Sequence, residues 1–388
     1  MQRLLHFAQD SDTSGFFPQL ARWHDRSRYQ MYFGTLNPIA PWLREYMESQ
    51  GVITFSCDCR NRAEFPFGLL RLAQFLRREK IDILHTHLFE PSVIGLLAGT
   101  FARTPKRVMT RHYSDYHTRI NKHWHVKLDQ LCTRLSNSVI AVSAHTAEHM
   151  VSAEKAPPEK LHVVLNGIDF GRVKLSDNFD RQRVRSEFAD EQTHLLLIAA
   201  RLHPEKGYED LLQAMQILRD RFAGKIKLLI AGKGDLLNHY QAMVHSLGCD
   251  DVVNFLGFRK DLPNLMAAAD LFVLPSVAEA FGLVLTEALY LGTPVVATRV
   301  GGIPEIVTDG SDGLLVPPAN PPALADAITE LLNDPERRSR MAGAGREKIM
   351  GKFRFDEMVQ AYEAIYQQLD LSGVETVNAD SLSNHSHI

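Results

Sequence analysis

The stretch from Pro275 to Pro304, PSVAEAFGLVLTEALYLGTPVVATRVGGIP, limits most sharply what this chain can fold into. Ahead of it runs Leu271-Phe272-Val273-Leu274, an apolar run of the kind found in parallel strands covered on both faces. Pro275 and Ser276 end that strand. A helical pattern starts near Phe281-Gly282, runs to about Leu291 and is stopped by Gly292-Thr293-Pro294, after which Val295-Val296-Ala297 is the next strand. Strand, loop, helix, strand puts the loop at the carboxyl edge of a parallel sheet, where open α/β sheets hold ligands. Gly282 opens the helix, and the free N–H groups of a first turn, with the helix dipole, favour an anion such as phosphate. Glu279 lies in the loop and Glu287 one to two turns into the helix. An ionised carboxylate only accepts hydrogen bonds, which suits hydroxyl groups. Phosphate beside hydroxyls describes a nucleotide sugar. The same residues also fit an ordinary nucleotide-fold unit with Glu279 as a helix N-terminal acid and Glu287 solvated, and taken alone they leave both readings open.

A chain of 388 residues exceeds what one hydrophobic core usually serves, so two domains are expected. Strand candidates at Arg3–Phe7, Gln30–Phe33, Val52–Phe55, Ile81–His85, Arg107–Thr110, Ser138–Ser143 and His162–Leu165, mostly separated by helical segments, imply parallel βαβ units in the first half. Leu195–Ala200, Lys227–Ala231, Val252–Leu256 and Gly313–Pro317 extend the pattern through the second half, and a polar stretch from Arg172 to Gln192 reads as the link between them. The net charge of −3 argues against a bulk nucleic-acid binder. No apolar run approaches the roughly 20 residues that span a bilayer. Cys57, Cys59, Cys132 and Cys249 lack the spacing of a zinc or redox pair and read as reduced structural thiols of a cytoplasmic protein.

At Glu279 and Glu287 the chain has the E-x7-E spacing of retaining glycosyltransferases with the GT-B fold, and EAFGLVLTEAL…GTPVVAT…GGIPEIV resembles family 4 of those enzymes, the glycosyl transferases group 1. The resemblance implies an α/β protein with two Rossmann-like parallel-sheet domains facing across a cleft. The N-terminal, acceptor-side domain would cover 1–185 with a return helix over 355–370. The C-terminal domain, binding the nucleotide sugar, would cover 190–352. Residues 371–388 are polar and read as a disordered tail. Arg201-Leu-His-Pro-Glu-Lys206-Gly207 is similar to the family's R-L-x-x-x-K-G loop, and a guanidinium fork with an ammonium suits a diphosphate. Gly232 and Gly234 match the A-G-x-G edge of the nucleotide crevice. Ala280, Phe281, Gly282 and Leu283 complete the donor loop around Glu279 and Glu287.

In the first half, Ile81-Asp-Ile-Leu-His85-Thr-His87 resembles a family strand end in which a histidine is often structural; no third metal ligand is evident beside the two. His112 falls where the family places a histidine toward the donor sugar, and is assigned to the catalytic site with Arg201, Lys206 and Glu279. The loop Gln9–Gly15 stands where the family carries a Gly-Gly pair; Gly15 alone remains and is assigned to donor binding. Asp10-Ser11-Asp12 in that loop also spells D-x-D, a metal motif of the other large glycosyltransferase fold. The basic, aromatic run from Arg103 to Arg134 reads either as a solvated face or as a patch for an anionic acceptor or membrane surface.

The resemblance thus implies transfer of a hexosyl or acetylhexosaminyl group from a UDP-, GDP- or ADP-sugar, with retention, to a saccharide or lipid-linked saccharide. The setting would be bacterial polysaccharide, lipopolysaccharide or glycolipid assembly, in the cytoplasm or peripherally at the inner face of the membrane. It implies no cofactor, no metal and no nucleic acid. The alternatives are a nucleotide-sugar epimerase or other enzyme of the same fold, and a non-catalytic nucleotide-sugar-binding scaffold.

Overall fold

The structure is a computed structural model describing residues 1–9, 15–119 and 122–369. The D-x-D at Asp10-Ser11-Asp12 and the tail over 371–388 lie outside those residues. Two compact units divide the chain, Met1–Leu165 with Phe355 onward, and Asn166–Arg354.

The first unit holds a seven-stranded sheet of β1 (Gln2–Ala8), β2 (Tyr29–Thr35), β3 (Ile53–Ser56), β4 (Ile83–His87), β5 (Lys106–Arg111), β6 (Ser138–Ala141) and β7 (Leu161–Val163), in the order β3-β2-β1-β4-β5-β6-β7. The second holds a six-stranded sheet of β8 (Thr193–Ala199), β9 (Lys225–Ala231), β10 (Val253–Gly257), β11 (Leu271–Leu274), β12 (Val295–Thr298) and β13 (Gly313–Val316), in the order β10-β9-β8-β11-β12-β13. Every pairing is parallel. The expected α/β architecture of two Rossmann-like parallel-sheet domains is therefore present.

Side chains alternate across each strand, so both faces of β1 are buried against different helices. Leu5 and Phe7 pack with Leu72, Phe75 and Leu76 of the helix Phe65–Arg78. Leu4 and Ala8 face the other way, into a core shared with Phe355, Met358, Val359, Tyr362, Ile365 and Tyr366. Those six recur at helical spacing along one stripe of the helix Phe355–Gln368, which belongs to the first unit. Apolar strand residues paired with apolar helix stripes explain why the strand positions were readable in the sequence.

Three local differences have physical reasons. The strand expected at Ile81–His85 runs Ile83–His87, paired through His6↔His85 to β1, so His87 is within the strand rather than beyond it. The strand beginning at Ser138 stops at Ala141 because Ser143 turns to cap the next helix, its Oγ accepting from the Thr146 N–H. The stretch 172–192 is not a free link and the expected boundary at 185–190 falls inside the second unit. Arg185 donates to Asp270 Oδ2 at 2.9 Å and to the Ala268 carbonyl, while the Ser176 N–H donates to Asn264, tying this segment to the second sheet.

All four cysteines are buried and free. Arg111, which the sequence grouped with a basic surface run, is 1% exposed. Its guanidinium makes a fork with Glu154 at 3.0 and 2.9 Å and lies 3.2 Å from Asp129, whose carboxylate also accepts from the Tyr113 hydroxyl. His125 is buried as well, whereas Trp124 is exposed, so the run divides into core and surface. Removing one partner of a buried ion cluster leaves the other charges uncompensated. Arg111→Met is expected to lower unfolding stability by about 3–5 kcal/mol in urea titration.

Candidate active site

In the second sheet the strand order reverses between β8 and β11, the place where an open parallel sheet has its ligand crevice. The loops leaving these two strands carry the candidate residues. After β8 the chain makes a short 3-10 turn, Pro204–Lys206, with His203 Nδ1 accepting the Glu205 N–H. After β11 the loop 275–282 is stitched to that turn, the Val277 N–H donating to the Glu205 carbonyl at 2.8 Å. The result is that Lys206 Nζ donates to Glu279 Oε2 at 2.5 Å, with Ser276 Oγ 3.4 Å from the same oxygen. Lys206 and Glu279 remain partly open to solvent, their side chains 17% and 15% exposed.

Glycine holds this arrangement at two places. A Cβ on Gly301 would stand 1.6 Å from the Glu279 carbonyl oxygen, which also accepts the Gly302 N–H at 3.1 Å. Gly282 has φ +104°, a conformation costly for any residue with a Cβ. It opens the helix Leu283–Tyr290 with no side-chain cap. Gly232 and Gly234 have a different reason: a Cβ on either would meet the Ala200 or Leu202 carbonyl of the neighbouring loop. Their small size serves loop packing at the ends of β8 and β9.

The remaining donor candidates separate. Arg201 is exposed on the loop after β8, and its guanidinium makes no hydrogen bond or ion pair with a described residue. Phe281 is 3% exposed, its ring 6.0 Å from Phe353, so its side chain belongs to the core. Ala280 is half-buried and Leu283 exposed. Glu287 is half-buried on the helix, and its carboxylate makes no hydrogen bond with a described residue. Burial pushes its carboxyl up to about 7, opposed by the charge of Arg172. Gly15 lies in the first unit, at φ −74° ahead of the helix Phe16–Trp23, its carbonyl accepting from Gln19. The residues actually brought together are Lys206 and Glu279, with Gly282 beside the Glu279 side chain.

In the first unit the order reverses between β1 and β4, and here histidines gather. His6, His85 and His87 lie on the sheet face that carries Leu4, Ile83 and Val108, the face covered by Phe355–Gln368. His6 Nδ1 is 2.9 Å from His87 Nε2 and His6 Nε2 is 2.9 Å from His24 Nε2. His87 Nδ1 is 3.1 Å from His112 Nε2, and His24 Nδ1 is 2.8 Å from Glu363 Oε1. His85 bridges the Tyr366 hydroxyl at 2.6 Å and Thr110 Oγ1 at 2.7 Å. Burial holds His6, His85 and His87 well below the ordinary imidazole range and lowers His112 to about 4. The sequence offered no third group beside His85 and His87; β1 supplies it as His6, and the three present nitrogens within 4.8 Å of one another. His24 and Glu363 were also not singled out. The available signal was a histidine interrupting the apolar strand Leu4-Leu5-His6-Phe7-Ala8. Neither His85 nor His87 has exposed surface; His112, half-buried, is the member that reaches solvent.

Among the described residues no helix is long and apolar enough to cross a membrane.

Two Rossmann-like parallel sheets in one chain are the architecture of glycosyltransferases of the GT-B type, and the similarity of this chain to known proteins makes it one. The match to known proteins extends along both units: "Glycosyltransferase Family 4" covers residues 19–172 and "Glycosyl transferases group 1" covers residues 179–348. The N-acetyl-alpha-D-glucosaminyl L-malate synthase of Bacillus anthracis is 31% identical over 300 residues, 76% of this chain and 77% of that protein. A D-inositol 3-phosphate glycosyltransferase of Corynebacterium glutamicum is 32% identical over 298 residues, 72% of this chain and 70% of that one. Anabaena HepE, solved in complex with UDP and glucose, shares the fold with a TM-score of 0.82 at 22% identity, covering 95% of this chain and all of that one. The chain belongs to glycosyltransferase family 4.

The Glu287 carboxyl gives a pH test. Its native pKa lies above the ordinary 4.5, so the unfolded chain releases this proton first, and the native state loses stability as pH rises from 4.5 through about 7. Glu287→Gln is expected to gain on the wild type over that window, by at most about 3 kcal/mol, in thermal melts at stepped pH.

Proposed function

We propose that the second unit binds a nucleotide diphosphate sugar and that the enzyme transfers the sugar, with retention of configuration, to a hydroxyl acceptor. The observation that carries this reading is the contact between Lys206 and Glu279 at the β8–β11 switch point. An ammonium has three donors, and one is spent on Glu279, which leaves two for the oxygens of a diphosphate. Arg201, on the same loop and without a partner among the described residues, supplies a second fixed cation. The uncapped N-terminus of Leu283–Tyr290 adds backbone N–H groups aimed at an anion. UDP and glucose bound to HepE support the donor class.

Glu279, held by Lys206, accepts hydrogen bonds from hydroxyls of the sugar, and Glu287 does the same for the ribose. As the anomeric bond breaks, negative charge builds on the departing diphosphate and an oxocarbenium-like sugar remains. Lys206, Arg201 and the helix N-terminus stabilise the leaving group where its charge develops. The leaving phosphate oxygen takes the acceptor proton on the same face, so no separate base is required. With two cations on the diphosphate the reaction runs without a metal or cofactor. His112 is assigned to the transferred sugar on the family resemblance. The acceptor is a saccharide or lipid-linked saccharide, in polysaccharide or glycolipid assembly. L-malate and D-inositol 3-phosphate, which appear in the names of the two relatives, are the first compounds to try beside saccharides in an acceptor assay.

Lys206→Met is expected to lower turnover by roughly 3–4 kcal/mol in barrier and to weaken binding of the product nucleotide, read by calorimetry with UDP, GDP and ADP. Unchanged affinity for all three would reject the role. Activity is expected to persist in EDTA; loss that Mn²⁺ restores would put a metal in the reaction.

A further inference from the structure

The first unit contains a hydrogen-bonded chain, Glu363, His24, His6, His87, His112, of which the transfer reaction as described uses only the last member. Its direction follows from one end. Glu363 Oε1 accepts the backbone N–H of Asp25 at 2.9 Å, and an amide N–H can only donate. That oxygen is therefore an acceptor, and His24 Nδ1, 2.8 Å away, carries the proton of their bond. A neutral imidazole has one N–H, so His24 Nε2 is a lone pair and accepts from His6 Nε2–H. His6 Nδ1 then accepts from His87 Nε2–H, and His87 Nδ1 accepts from His112 Nε2–H. The last nitrogen, His112 Nδ1, is left as a lone pair and makes no hydrogen bond with a described residue.

We infer that Glu363, through His24, His6 and His87, fixes His112 in the Nε2–H tautomer, so that its open Nδ1 is a hydrogen-bond acceptor for a sugar hydroxyl. Glu363 and the three inner histidines are positioning residues that act through His112. One extra proton on His24 Nε2 would reverse the three bonds between histidines and leave the bond to Glu363 as it is. Burial of all four rings opposes this, lowering the pKa of each. The polarity originates on the C-terminal helix, since Glu363 lies on the same helix as the core residues Val359 and Tyr366. A metal at His6, His85 and His87 is the competing use of the cluster. It would have to break bonds already made, because both ring nitrogens of each of the three have partners.

Assigning the open Nδ1 to a sugar hydroxyl rests on the proposed role of His112; the tautomer itself does not, and it is measured without substrate. The full-length protein, labelled with ¹⁵N in its histidine rings, is examined by long-range ¹H–¹⁵N correlation at pH 7.5, with His112 assigned by loss of its signals in His112→Gln. The expected pattern is a protonated Nδ1 on His24 and a protonated Nε2 on His6, His87 and His112. Any other pattern in the wild type overturns the inference. Glu363→Met is expected to give His112 a mixed tautomer, whereas Glu363→Gln, which keeps the acceptor oxygen, retains the Nε2–H form. A folded Glu363→Met with His112 unchanged contradicts the inference. Stoichiometric Zn²⁺ is expected to leave the ring nitrogens unshifted; saturable shifts confined to His6, His85 and His87 would make the cluster a metal site and reject the relay.

Discussion

The hydrogen bond from Lys206 to Glu279 joins the loops that leave β8 and β11, and the second unit is arranged so that this bond forms. The two strands are neighbours only because the sheet order reverses there. The turn Pro204–Lys206 and the loop 275–282 are locked by the Val277–Glu205 backbone bond, and Gly301 lets the backbone behind Glu279 close in. A cation and an anion placed together at the carboxyl edge of a sheet, partly desolvated, are the feature on which the proposed binding of phosphate and hydroxyl groups rests. Stability alone gives weak reason for such a pair, since the cost of desolvating two charges offsets much of their attraction.

The first unit follows the same geometric rule with different chemistry. At the carboxyl ends of β1, β4 and β5 the apolar face pattern gives way to His6, His85, His87 and Thr110. These groups remain buried because they have partners in one another, in Tyr366 on the covering helix and, through His24, in Glu363 on that helix. Buried polar groups are tolerated when each has a partner, and such networks hold side chains to single conformations. His112 inherits that order at the edge of the network.

The fold was largely legible because parallel strands buried on both faces announce themselves as apolar runs, as Leu271–Leu274 does, and because Phe355–Gln368 shows its stripe at helical spacing. The convergence of Lys206 and Glu279 was legible because each stands in a short motif in the loop after a strand, whereas Arg201, expected with them, makes no hydrogen bond or ion pair with either. His6, His24 and Glu363 were not legible, since His24 and Glu363 lie 339 residues apart and meet only when the helix Phe355–Gln368 covers the sheet. Arg111 was misplaced for a related reason. Its neighbours in sequence are basic, and the carboxylates that let it be buried, Asp129 and Glu154, come from elsewhere. Periodicity shows which face is apolar but not which polar side chains on it find partners. Phe281 shows the converse, a motif residue whose side chain is core.

The most direct test is a crystal structure of the enzyme with whichever of UDP, GDP and ADP raises its melting temperature most. The diphosphate is expected at the ends of β8 and β11, with Lys206 Nζ and the Arg201 guanidinium in hydrogen-bond contact with its oxygens and a ribose hydroxyl on Glu287. A nucleotide bound elsewhere, or a diphosphate at this edge that neither cation touches, would rule out the proposed donor site.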